Sequence, residues 1–195
     1  VIELAIDTGS GALSVALIDG DTVLAERHDV IGRGHAEAIV GVVADVVGSR
    51  GDAVRGIVAG VGPGSFTGVR IGIAAARALG LAWDVPVTGI GSLALMAAAA
   101  FAVDPADTVV AIADAGRGRV YWQLFARDGC RPLTEPAAGD DTTIIVPDGA
   151  AIAGSGATGL AGRRIAVTHP RAADACRLDR SARVAAVPLY IGAVP

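Results

Sequence analysis

Lysine is absent from this chain, and all sixteen of its basic residues are arginine. That absence excludes a Walker A phosphate loop, a lysine Schiff base and the protein-kinase lysine together. Metal chemistry has little to work with. Of the three histidines, His28, His35 and His169, none lies three or four residues from another, so no helical metal pair exists. Cys130 and Cys176 have neither metal-like nor redox-like spacing, and two lone cysteines suit a reducing compartment. Aromatic residues make up only 4% of the chain, so a hydrophobic content of 52% means a core of Val, Ala, Leu and Ile. The longest unbroken apolar run, Leu93 to Val103, has eleven residues, too short to span a bilayer. Glu3 and Asp7 interrupt the first apolar stretch, which argues against a signal peptide and for a cytoplasmic chain. A net charge of −4 argues against a free-standing nucleic-acid binder, which shows a basic footprint.

What is present reads as α/β. Val1 to Ile6, Leu13 to Ile18 and Thr22 to Arg27 form a meander of strands around the turn at Asp19-Gly20-Asp21. Helices are expected over His35 to Val47, Thr67 to Trp83, and from a Ser92 cap through Ala102, with strands at Ile57 to Gly60 and Val85 to Ile90 between them. Asp104-Pro105-Ala106-Asp107 is the candidate boundary between a lobe at 1–103 and a smaller one at 104–195. Val109 to Ala113 and Val120 to Phe125 read as a hairpin pair. Cys130 to Thr143 reads as loop, and Ile144 to Val146, Ala150 to Ala153 and Ile165 to Thr168 as short strands.

The run Gly60-Val61-Gly62-Pro63-Gly64-Ser65-Phe66-Thr67-Gly68 joins a buried strand to an apolar helix. Its glycines allow close backbone approach, and Ser65 or Thr67 can cap the helix. It is either a tight connection or an anion cradle at a helix N-terminus. It is not a hydrolase elbow, because Pro63 stands where that pattern needs its first glycine. Asp7, with Thr8 and Gly9 behind it, either caps a turn or faces a phosphate. Gly154-Ser155-Gly156, leading to Ala157-Thr158, is by itself a glycine-rich turn. His35, at a helix start, reads as a capping or surface residue.

Two helices are more apolar than a one-sided helix requires. The first carries Ile39, Val40, Val42, Val43, Val46 and Val47; in the second only Arg70 and Arg77 are charged, seven residues apart on one side. The extra apolar area, including Ile73 and Leu81, needs a cover, and a second protein chain is the natural one. The isolated protein is expected to self-associate through the same surface.

The segment GVGPGSFTGVRIG (60–72), with Ile6-Asp7-Thr8 and Arg33-Gly34-His35, resembles the TsaB (YeaZ) family. The resemblance covers about residues 2–122 and returns at Pro188-Leu189-Tyr190. It implies an actin/Hsp70/sugar-kinase fold of two ribonuclease-H-like lobes with mixed sheets flanked by helices. In nucleotide-binding members of that fold an acid-plus-glycine turn at the place of Asp7, Thr8 and Gly9 faces the phosphates, and a glycine pair resembling Gly154 and Gly156 lies near adenosine; with Gly62, Gly64 and Ser65 of the glycine turn these are vestigial candidates here, with no cofactor expected. In the catalytic sister TsaD the stretch matching residues 89–96 carries two metal-binding histidines. Ser92 and Met96 stand in their places, both poor ligands for iron or zinc. The resemblance implies no catalytic or metal site and a scaffold subunit. Such a subunit binds TsaD through helices of its first lobe, which the apolar surplus places at Ile39, Val40, Val43, Val47, Arg70, Ile73, Arg77 and Leu81, with the ATPase TsaE as a third component and tRNA reached only through the complex. Two alternatives are an ATP-binding enzyme of the same fold and a peptidase of the M22 type. The family's C-terminal strand commonly has arginine where this chain has Gly192.

Overall fold

The computed structural model describes residues 1–156 and 159–191. Strands β1 (Ile2–Asp7), β2 (Ala12–Asp19) and β3 (Thr22–Val30) form the expected antiparallel meander. Helix α1 (His35–Val47) then leads to β4 (Gly56–Gly60), α2 (Phe66–Trp83), β5 (Val87–Ile90) and α3 (Ser92–Val103). β4 lies parallel to β1, and β5 parallel to β4. The second sheet begins with the hairpin β6 (Thr108–Gly116) and β7 (Arg119–Ala126), whose far edge carries β8 (Arg131–Pro132) and β9 (Ala137–Asp140). β10 (Ala151–Ala153) lies parallel to β6, and β11 (Arg163–Arg164) parallel to β10. Both sheets thus run antiparallel on one side of their first strand and parallel on the other, the two-lobed α/β arrangement expected.

β1 shows why the layers form. Leu4 and Ile6 point to one face, packed with Ile39, Val43 and Val46 of α1 and Val69 and Ile73 of α2. Ala5, between them, points to the other face against α3, as the two-residue period of a strand requires. α3 is apolar on every side and is sandwiched: Ala5, Ala16 and Val58 of the first sheet meet it, and so do Val109, Ala111 and Ala153 of the second. Alanines on all three layers let them approach closely. Arg127, at the end of β7, terminates α3 by donating to the carbonyls of Phe101 (2.9 Å), Asp104 and Ala106 (2.9 Å). The expected boundary at 103/104 falls between α3 and β6.

Several short elements differ from expectation. Cys130 to Thr143 is not all loop, because β8 and β9 pair with the free edge of β7. Ile144 to Val146 is not a strand; Ile144 packs instead on Val110, Ile112 and Val120. β11 pairs through Arg163–Arg164, and the backbone contact with β10 continues into the expected 165–168: the Ile165 N–H donates to the Ile152 carbonyl at 2.8 Å and the Gly154 N–H to the Val167 carbonyl at 2.7 Å. The last strand, β12 (Val184–Ala185), precedes Pro188-Leu189-Tyr190 and pairs antiparallel with β5, so the chain returns to the first sheet. Ala157, Thr158 and Gly192 lie outside the described residues.

Candidate functional site

The glycine turn and the end of β1 interlock. Ser65 caps α2, its side chain accepting from the Gly68 N–H at 3.3 Å, while its own N–H donates to the Gly9 carbonyl at 2.7 Å. A Cβ on Gly68 would lie 2.1 Å from the Thr8 carbonyl oxygen, so the backbones touch where a side chain cannot fit. The Thr8 hydroxyl donates to the Gly68 carbonyl at 2.7 Å.

Asp7 is 1% exposed. One carboxylate oxygen accepts the Gly9 N–H at 3.0 Å and the other accepts the Ser92 hydroxyl at 2.6 Å. Ser92 therefore does not cap α3, whose N-cap is Gly91; its hydroxyl is committed to Asp7. A Cβ on Gly60 would sit 2.0 Å from the same carboxylate, which closes the pocket around it. Burial pushes the Asp7 carboxyl above the usual carboxylate range, against the opposing effect of its Ser92 and Gly9 hydrogen bonds. The folded protein holds the Asp7 proton at pH values where the unfolded chain has released it. Stability from this group therefore falls as pH rises above about 4 and stays reduced at neutral pH. Asp7→Asn is expected to remove that penalty: relative to the parent, its urea midpoint should gain most at pH 7.5 and least near pH 4. A variant less stable by the same amount at every pH would show that the carboxylate costs nothing when charged.

His35 is also buried, not a surface residue, with Nε2 3.3 Å from the Ala12 carbonyl. It lines a cleft of about 960 Å³ between the lobes. Gly9, Gly64 and Ser65 of the phosphate-site candidates line this cleft, together with Arg33, Tyr121, Ser155 and His169. Asp7 and Thr8 turn their side chains away from it into the α2 and α3 packing. Gly62 is engaged elsewhere, its carbonyl accepting the Ser92 N–H at 2.8 Å. Gly154 and Gly156 press on β6, where a Cβ would meet Ile112 and Ala113 backbone at 1.7 and 2.8 Å. Arg33, Glu37 and Asp114 give the cleft mixed charge. Met96 lines it, 1% exposed, and among the described residues no three His, Cys, Asp or Glu side chains are grouped to hold a metal ion. Tyr121 and His169 carry no sequence signal of their own; only the closure of the second lobe brings them here.

The surface between α1 and α2 is apolar. A groove of about 580 Å³ runs between them, lined by Ile39, Val40, Val43, Ala44 and Val47 on α1 and by Ala75, Ala78, Leu79, Ala82 and Trp83 on α2. Val40 is 74% exposed and Leu81 87% exposed, whereas Ile39, Val43 and Val47 are buried at the groove floor. Ile73 packs into the core and does not reach the groove. Arg70 and Arg77 are both engaged by the returning C-terminal segment: Arg70 Nε donates to the Tyr190 hydroxyl and Arg77 to the Ala186 carbonyl. Ala75, Ala78, Leu79 and Ala82 line the groove through an i, i+3, i+4, i+7 spacing that is visible in the sequence, although alanine by itself marks no surface.

Comparison with known proteins gives a consistent picture. A family model described as "TsaD: tRNA N6-adenosine threonylcarbamoyltransferase" matches residues 28–144. The tRNA threonylcarbamoyladenosine biosynthesis protein TsaB of Escherichia coli (strain K12) is 42% identical over 128 residues, covering 64% of this chain and 55% of that protein. The protein of the same name from Bacillus subtilis (strain 168) is 36% identical over 125 residues, 63% of this chain and 54% of the relative. The matched part thus spans about half the length of these curated relatives. The solved structure of YeaZ from Pseudomonas aeruginosa superimposes with a TM-score of 0.86 at 31% identity, covering 97% of this chain and 99% of that one. With a fold matched along almost the whole of both chains and the family model spanning more than half of this one, the chain belongs to the TsaB (YeaZ) family.

Proposed function

We propose that this chain is a non-catalytic scaffold subunit that binds TsaD and supports threonylcarbamoylation of adenosine 37 in tRNA. The observation that carries the reading is the α1/α2 face, an open apolar groove with Val40 exposed along it and Leu81 exposed elsewhere on α2. Exposed apolar area of this kind is unfavourable in water by roughly 25 cal/mol per Å² and is relieved by a covering chain. The relatives named for tRNA threonylcarbamoyladenosine biosynthesis support the pathway. Support for a scaffold role comes from Ser92 and Met96, which stand where the catalytic sister carries histidines, and from the Ser92 hydroxyl, which is occupied by Asp7.

In isolation the same face builds a homodimer, which TsaD displaces. TsaE joins as a third component in the cytoplasm. No helix among the described residues is long and apolar enough to cross a membrane. tRNA is engaged through the complex, because a net charge of −4 supplies little counterion release. Co-expression with the TsaD of the same source is expected to give a stoichiometric complex. Tight tRNA binding is expected in its presence and not by this chain alone. Failure to co-purify, or submicromolar tRNA affinity of the isolated chain at physiological salt, would overturn the reading.

One observation favours a second reading, an ATP-binding enzyme acting alone: the 960 Å³ cleft with Ser65 at the α2 N-terminus in its wall. Calorimetric titration of the isolated protein with ATP and Mg²⁺ separates the two. The scaffold reading expects no heat of binding and no turnover.

A further inference from the structure

The described end of the chain lies across α2. After β12, residues 186–191 run toward the glycine turn. Arg77 Nη2 donates to the Ala186 carbonyl at 2.7 Å, and the Leu189 N–H donates to the Val61 carbonyl at 2.8 Å. Arg70 Nε donates to the Tyr190 hydroxyl at 2.8 Å. The Tyr190 ring lies 5.7 Å from that of Phe66, over which the Arg70 guanidinium sits at 3.4 Å. Arg70 and Arg77 are the only charged residues of α2, and this segment engages both. Yet the segment is lightly seated: Val187 is 51% exposed, Leu189 41% and Tyr190 56%. A segment with little buried apolar surface belongs to the low end of local stability.

We propose that residues 186–191 form a releasable strap that ties up one donor of each α2 arginine, both of which stay solvent-exposed beneath it, and that its release strengthens docking of a protein partner on α1 and α2. Positions 70, 74, 77 and 81 fall on one line of the helix. Ala78 and Ala82 connect that line to the apolar groove. With the strap seated, Arg70 and Arg77 each direct a donor at the chain itself. With the strap away, α2 offers two guanidinium groups about 10.5 Å apart along its axis, next to an apolar floor. The partner this fits is a helix face with aliphatic side chains flanked by two carboxylates two turns apart, since a guanidinium forks onto a carboxylate. Strap and partner compete for the same donors, so the fraction of seated strap lowers the partner's apparent affinity in proportion.

This inference rests on α1 and α2 being the partner surface, and its test keeps the two apart. Tyr190→Ala in the full chain removes the ring stack and the hydroxyl while leaving β12 intact. Hydrogen–deuterium exchange is expected to accelerate at 186–191 alone, and affinity for co-expressed TsaD to rise by up to about tenfold. Adding Arg70→Gln and Arg77→Gln to that variant is expected to erase the gain. Unchanged exchange in Tyr190→Ala would overturn the strap. Faster exchange with unchanged or weaker TsaD affinity would also overturn it, making the segment a brace. Absence of TsaD binding by parent and variant alike would instead remove the partner surface on which the inference stands, and the inference with it.

Discussion

Gly68→Ala is expected to lower the unfolding free energy by about 3 kcal/mol or more, a large part of the stability of a chain this size. The new methyl carbon would lie 2.1 Å from the Thr8 carbonyl oxygen and 3.3 Å from the Ser65 side chain. Neither neighbour can give way cheaply. Thr8 is tied to the same turn by its hydroxyl, and Asp7 beside it is buried and hydrogen-bonded on both oxygens. The start of α2 would have to lift off β1, taking Val69 and Ile73 out of the core they share with Leu4 and Ile6. Gly41→Ala is the matched control. It lies in α1 with open space around its Cα, so alanine should stabilise by up to about 1 kcal/mol through helix propensity. Urea denaturation of both variants checks the contrast. A Gly68→Ala chain within about 0.5 kcal/mol of the parent would mean that the turn is looser than this packing implies.

The second large effect concerns association. Val40→Asp combined with Leu81→Asp is expected to weaken both self-association and TsaD binding by at least about a hundredfold, because each places an unpaired charge in a desolvated interface. The fold should be indifferent, since these side chains are 74% and 87% exposed and surface substitutions rarely shift stability by more than about 0.5 kcal/mol. Circular dichroism and urea midpoints verify that, and sedimentation and calorimetry read the association. Val43→Glu and Ile73→Arg are unsuitable for the purpose. Both side chains are at most 5% exposed and packed against β1 and β2, so a charge there would unfold the chain before any interface was tested. A double aspartate variant that is folded and still binds like the parent would place the interface on another face.

The first lobe was legible in the sequence because its signals are long and local. The period of Ile39, Val42, Val43 and Val46, and the bounding of α2 by Ser65 and Asp84, mark helices whose ends agree with expectation within one or two residues. The second lobe is less legible. Arg131–Pro132, Ala137–Asp140 and Arg163–Arg164 show no alternation; they are strands because β7 and β10 present edges that need partners.

What the residues alone determined is the set of strongly periodic elements, the family motif at 60–72, and the surplus of apolar surface on two helices. Only the tertiary structure decided how that surplus divides. Helical spacing places Val43 and Val40 near one another, but which of them faces the sheet depends on how α1 rotates against α2 and β2. The same holds for the polar groups. Asp7 and Ser92 stand 85 positions apart, and Arg70 and Tyr190 stand 120 apart. No local pattern encodes such pairs; they exist because the sheet order sets the ends of β1 and β5 on either side of β4, whose Gly60 has no side chain to part them, and because β12 returns to the first sheet.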